Sequence, residues 1–212
     1  EEDKYGSNAP VIGPGDVAEA FGVRIGRAGG GNLLGTGLLT ITGGSLTVRD
    51  GGLSCSLVGE CSRLRVGNAQ VAVDAERFPG TFDVQGGTTT TDTLWIGSGS
   101  HGTVNMSGGV INTRNHLYFD WTFDPTSAPG PDPNSSVLNM TGGTINVATQ
   151  FTMHRTSMLN LDGGDILVSG AARLGTPLDN PGASQGGQQD PNVEVSITGG
   201  LFEAGGFLQI GG

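Results

Sequence analysis

Leu138-Asn-Met-Thr-Gly-Gly143 reads apolar, polar, apolar, polar, then two glycines. Side chains alternate across a strand, so the first four positions predict a half-buried β-strand. The glycine pair predicts a turn whose backbone enters the positive-φ region, which glycine adopts without a Cβ penalty. The same frame recurs at Leu39–Gly44, Phe82–Gly87, Val104–Gly109, Leu159–Gly164 and Val195–Gly200. Working outward, a second short strand follows each pair, as in Leu46-Thr-Val48, Thr89-Thr-Thr91, Ile111-Asn-Thr113, Ile145-Asn-Val147, Ile166-Leu-Val168 and Phe202-Glu-Ala204. A third kind, typified by Val23-Arg-Ile-Gly26 and Leu94-Trp-Ile-Gly97, comes round seven times and ends with Leu208-Gln-Ile-Gly211.

The second glycines of the pairs are separated by 43, 22, 34, 21 and 36 residues. The shortest intervals hold three short strands and three turns; the longer ones hold the same unit with an insertion. A propeller blade needs four strands in roughly 40–45 residues, which the short intervals cannot supply. The pattern predicts an all-β chain folded as a parallel β-helix, or β-solenoid, with three short strands per coil and about seven coils. Alternation points Ile25, Val66, Ile96, Phe119, Met153, Leu174 and Ile210 into one wall of the core. It points Leu39, Phe82, Val104, Leu138, Leu159 and Val195 into another. Asn105, Asn139 and Asn160, and separately Asn112 and Asn146, fall on outward rows where stacked amides can bond along the column. Insertions 27–37, 68–79, 98–101, 121–134 and 176–192 share one junction, so loops fringe mostly one edge.

Forty glycines and a net charge of −10 narrow the function. The glycine follows no collagen period. An acidic chain whose one lysine is Lys4 repels phosphate backbones and anionic lipid, which excludes nucleic acid as a partner. The apolar runs are too short to cross a bilayer, so membrane insertion is not expected. Glu1-Glu2-Asp3-Lys4 does not read as a secretory leader. Low lysine with much Gly, Thr and Asn suits the outside of a cell. Cys55 and Cys61 lie close enough for a small loop disulfide, with two free thiols as the alternative.

Site chemistry is sparse. Asp83, Asp120, Asp162 and Asp165 are the candidate carboxylates for glycoside hydrolysis, but no outward row holds a run of acids. His101, His116 and His154 come from separate coils, and their spacing does not require convergence on a metal. The expectation is therefore no catalytic residue, no enzyme and no cofactor. Calcium is the one ion with suitable hard ligands, at Asp120, Asp124 and Asp132. Trp95, Tyr118 and Trp121 are candidates for stacking on sugar rings, against the plainer expectation that loops cover them.

Leu94-Trp-Ile-Gly-Ser-Gly-Ser-His-Gly-Thr-Val-Asn-Met-Ser-Gly-Gly109 resembles the repeats of bacterial secreted and surface parallel β-helix proteins, those of the autotransporter-passenger and PEP-CTERM-exported kinds. The resemblance spans about residues 21–212 and implies a β-helix, export, and an adhesive or structural role. No sorting tail or translocating barrel of that kind is seen in the sequence.

The chain thus divides into an N-terminal tail or cap, residues 1–20, and one β-helix domain, 21–212, ending in an incomplete coil. Asp16-Val-Ala-Glu-Ala-Phe21 is expected to form one helical turn as a lid. Val11 and Ile12 are expected to act as an inter-subunit donor segment that completes the coil at Leu208 and Ile210. The reading is an extracellular or cell-surface structural solenoid whose partner is itself, polymerised head-to-tail into a fibre or surface layer. The alternative is a carbohydrate-binding, adhesive module with a polysaccharide partner at the looped edge.

Overall fold

The computed structural model describes residues 9–27, 36–49, 62–68, 79–98, 100–119, 136–154, 157–175 and 193–211. Among these the chain is all-β, with parallel strands in an open sheet, an arrangement compatible with a β-solenoid.

The strands align in ladders. One runs through β1 (Val11–Ile12), β4 (Gly37–Ile41), β7 (Gly80–Val84), β9 (Gly102–Met106), β11 (Ser136–Val147), β13 (Ser157–Val168) and β15 (Glu194–Ile197). Another takes β2 (Val17–Ala20), β5 (Ser45–Val48), β8 (Thr88–Ser98), β10 (Val110–Phe119), the later parts of β11 and β13, and β16 (Leu201–Ala204). A further ladder joins β3 (Val23–Arg27), β6 (Arg63–Asn68), the later parts of β8 and β10, β12 (Gln150–Met153), β14 (Ala171–Leu174) and β17 (Leu208–Ile210). Several strands expected to be separate are continuous. Gly142-Gly143 and Gly163-Gly164 stay inside β11 and β13, because the glycine corner bends the chain while pairing resumes on either side with a local register shift.

Both predicted rows are in register residue by residue, but Ile210 and Val195, expected inside, are exposed because β17 and β15 pair on one side only among the described residues. Ile25, Val66, Ile96, Phe119, Met153, Leu174 and Ile210 stand in one register row, and Leu39, Phe82, Val104, Leu138, Leu159 and Val195 in another. Most of these side chains are fully buried in a single apolar cluster. Stacking like on like lets each layer reuse the packing of the one before, and Phe119 also meets Phe151 of a neighbouring row, 5.5 Å apart centroid to centroid.

The second glycine of every predicted pair has positive φ, from 64° at Gly44 to 86° at Gly143. Space excludes a side chain there too. A Cβ on Gly109 would sit 2.7 Å from the Gly86 carbonyl carbon, since the glycine corners stack on one another.

The expected helical turn over Asp16–Phe21 is instead strand β2, paired in parallel with β5. The period-two alternation Val17-Ala-Glu-Ala20 matches Leu201-Phe-Glu-Ala204 at the far end, and tertiary pairing overrides the helical preference of Ala and Glu. Val11 and Ile12, expected as a donor for another subunit, pair with Thr40 and Ile41 of their own chain.

Candidate functional site

Two places gather side chains beyond the needs of the core. The first is the outward row on the β3–β17 ladder. Arg24, Arg65, Trp95, Tyr118, Thr152, Arg173 and Gln209 follow one another in register. Arg63, Thr93, His116 and Gln150 form the adjacent row. The Arg63 and Arg65 guanidinium carbons lie 4.6 and 4.4 Å from the Trp95 ring centroid, within cation–π range. His116 stacks on Tyr118 at 4.9 Å, and Arg173 lies over Phe207 at 5.4 Å. Burial holds the His116 imidazole below the usual histidine range. Burial also pushes the Tyr118 phenol up, opposed by the positive charges of Arg173 and Arg63.

Trp95 is only 5% exposed, and the side chains seen over its ring are Arg63 and Arg65. Its neighbours Arg24, Arg63, Arg65, Tyr118 and Arg173 all hold interactions within the chain. The sequence marked Trp95 and Tyr118 but not the cations beside them, which become visible once Arg63 and Arg65 are placed over Trp95. Trp121, Cys55, Cys61 and the acids Asp120, Asp124 and Asp132 lie outside the described residues.

The remaining polar candidates bond along the column. Asn105 Nδ2 donates to Asp83 Oδ1 at 2.7 Å, Asn139 to Asn105 at 2.9 Å and Asn160 to Asn139 at 2.9 Å. Asn146 donates to Asn112 at 2.9 Å. The predicted amide ladders are therefore present, with the Asp83 carboxylate as the terminal acceptor of the longer one. Asp162 accepts from Thr198 Oγ1 at 2.6 Å. Among the described residues no group of three or more His, Cys, Asp or Glu is placed to hold a metal ion. Among the described residues no helix is long and apolar enough to cross a membrane.

The second place is the end of the ladders. Strands β15, β16 and β17 each pair on one side only among the described residues. Ile210 is 75% exposed, Leu208 51% and Ile197 50%, although their register partners Leu174, Ala172 and Leu161 are buried. Phe202 is partly covered because its ring meets Phe151 edge-on at 5.3 Å. At the opposite end β1, β2 and β3 are likewise paired on one side among the described residues. There the core-facing Ile12 and Ile25 are buried, and the open apolar surface belongs to Val11, Val17 and Phe21. The arrangement offers an apolar strip with unpaired backbone at one end and a row of strand edges at the other. Open strand edges and exposed apolar strips are features at which proteins can associate. Comparison with family models, curated proteins and solved structures finds no match for this chain.

Proposed function

We propose that this chain is an extracellular structural protein: a parallel β-helix of three short strands per coil and about seven coils, stacking head-to-tail into a fibre or surface layer. The observation that carries the reading is the uncovered apolar end at Ile197, Leu208 and Ile210, where the same rows are buried one strand earlier. Monomeric proteins seldom leave such a patch beside unpaired strand edges. Because all the pairings are parallel, a translated copy meets this edge in the same sense as the internal strands meet each other. A contact between two different ends does not close, so it propagates. The acidic, lysine-poor, glycine-rich composition accords with life outside the cell and with a scaffold rather than an enzyme. A glycan-binding role has less support, because Trp95 presents little surface to a sugar.

Electron microscopy and sedimentation over a concentration series test the reading. The expected result is filaments with an axial repeat of about 34 Å plus any cap, from coils rising about 4.8 Å each. Monomers at every concentration would overturn it.

A further inference from the structure

The ladder that runs from β1 to β15 differs in charge from the arginine–aromatic face. None of its strands contains a lysine or an arginine, and their one aromatic residue, Phe82, is buried in the core. Asp83, Asn105 and Asn139 lie half-buried on its outward side, in register and bonded one to the next. Two residues further along their strands, Gln85, Ser107 and Thr141 stand exposed. These six, with Met106 beside them, line a groove of about 340 Å³ across three successive strands. Small-ligand sites occupy roughly 300–1,000 Å³.

The amide ladder leaves bonding capacity in this groove. An ionised carboxylate only accepts, so Asp83 draws the Asn105 Nδ2 toward it, and Asn139 follows in the same sense. A carboxamide carries two N–H donors and two lone pairs. Asn105 and Asn139 each donate once and accept once within the ladder, which leaves each a second donor and a second acceptor. Asp83 meets Asn105 through Oδ1, and the exposed Gln85, Ser107 and Thr141 side chains stand outside the ladder. Adjacent sugar hydroxyls can engage such a donor and acceptor together, because a hydroxyl does both. The set recurs at the strand spacing, about 4.8 Å, so a polymer can follow it. With no cation on these strands and a carboxylate in the groove, an anionic chain is repelled.

We propose that this groove binds an uncharged linear polysaccharide whose chain runs across the strands, along the column. Asn105 and Asn139 form the floor, Gln85, Ser107 and Thr141 the rim, and Asp83 accepts a sugar hydroxyl. The site lies on a different ladder from Trp95, and it acts in a single chain whether or not copies stack. Without an aromatic ring on these strands to stack on, a hexamer should bind with a Kd on the order of 1 mM. Affinity should rise with chain length, as successive segments bind together.

Isothermal titration of the full chain with xylohexaose, mannohexaose and maltohexaose, beside hexagalacturonate, tests the site. At least one neutral hexamer should bind, and the uronate should not. Gln85→Ala combined with Thr141→Ala should weaken that hexamer about tenfold and leave thermal unfolding unchanged, since neither side chain belongs to the ladder. Asp83→Asn keeps an acceptor for Asn105 and removes the charge, so the uronate should begin to bind. Trp95→Phe should change nothing. The proposal is overturned if no neutral hexamer binds, or if the uronate binds the wild type as tightly as the neutral hexamers. It is also overturned if Trp95→Phe, rather than the groove variants, removes binding. Failure here leaves the stacking reading standing, and a chain that binds glycan but never assembles would sink only the stacking.

Discussion

Strands β13 and β15 carry the same alternation, Leu159-Asn-Leu161 and Val195-Ser-Ile197, and pair in register with each other. Leu159 and Leu161 are completely buried, whereas Val195 is 37% and Ile197 50% exposed. The difference lies in the neighbours, since β13 is flanked by β11 and β15, while β15 has β13 alone among the described residues. Alternation therefore specifies which face of a strand turns toward the core. Whether that face leaves water depends on a strand on either side.

The largest test of this contrast is a matched truncation. Leu161→Ala should cost about 2–5 kcal/mol, the usual range for an interior leucine. Ile197→Ala should cost under about 1 kcal/mol in the dissociated chain, because little buried surface is lost. Urea unfolding of both variants at low protein concentration measures the gap. Equal costs would mean that the terminal strands are covered in solution.

Glycine corners give the next contrast. Gly109→Ala combines a positive φ with a Cβ placed 2.7 Å from backbone, whereas Gly211, also at positive φ, has nothing within 4 Å. The expected costs are roughly 3 and roughly 1 kcal/mol. Thermal denaturation of the two variants would show whether the stacked corner adds to backbone strain.

Smaller still is the amide ladder. Asn139 both donates to Asn105 and accepts from Asn160, so Asn139→Ala removes both bonds and should cost about 1–2 kcal/mol. Hydrogen exchange should quicken in β9 and β13 if the ladder couples its neighbours. An unchanged exchange pattern would show that the backbone ladder suffices.

The least change is expected from protonation on the arginine–aromatic face. Burial depresses the His116 pKa, so the unfolded chain takes up the proton more readily than the folded one. His116 should therefore leave stability intact above the ordinary histidine value of about 6.5 and withdraw it as pH falls from there toward the lowered folded value. Replacing His116 with Gln should flatten that part of the stability–pH curve. A curve of unchanged slope would assign the acid sensitivity to other groups.

Much of the architecture was legible because two local rules repeat. The second glycines needed positive φ, and all six have it. The two inward rows needed apolar side chains at period two, and the structure aligns them in register. The Thr88–Thr91 run was less legible, since four identical residues carry no alternation. Packing turns Thr89 and Thr91 fully inward, and Thr91 Oγ1 bonds to the Ser62 and Thr93 carbonyl oxygens. Asp16–Phe21 misled because Ala and Glu favour helix where no partner is considered. The signal that could have corrected it was the likeness of Val17-Ala-Glu-Ala20 to Leu201-Phe-Glu-Ala204.

The sequence by itself determined the strand alternation, the glycine corners and the order in which the strand types recur. These rest on backbone sterics and side-chain direction, which act within a few residues. Tertiary structure alone decided that β2 is a strand, that Trp95 lies beneath two arginines, and that the apolar row stays covered at Ile25 yet open at Ile210. Each of those outcomes depends on what stands one strand away, and in this chain the neighbouring strand is commonly twenty to forty residues distant in sequence.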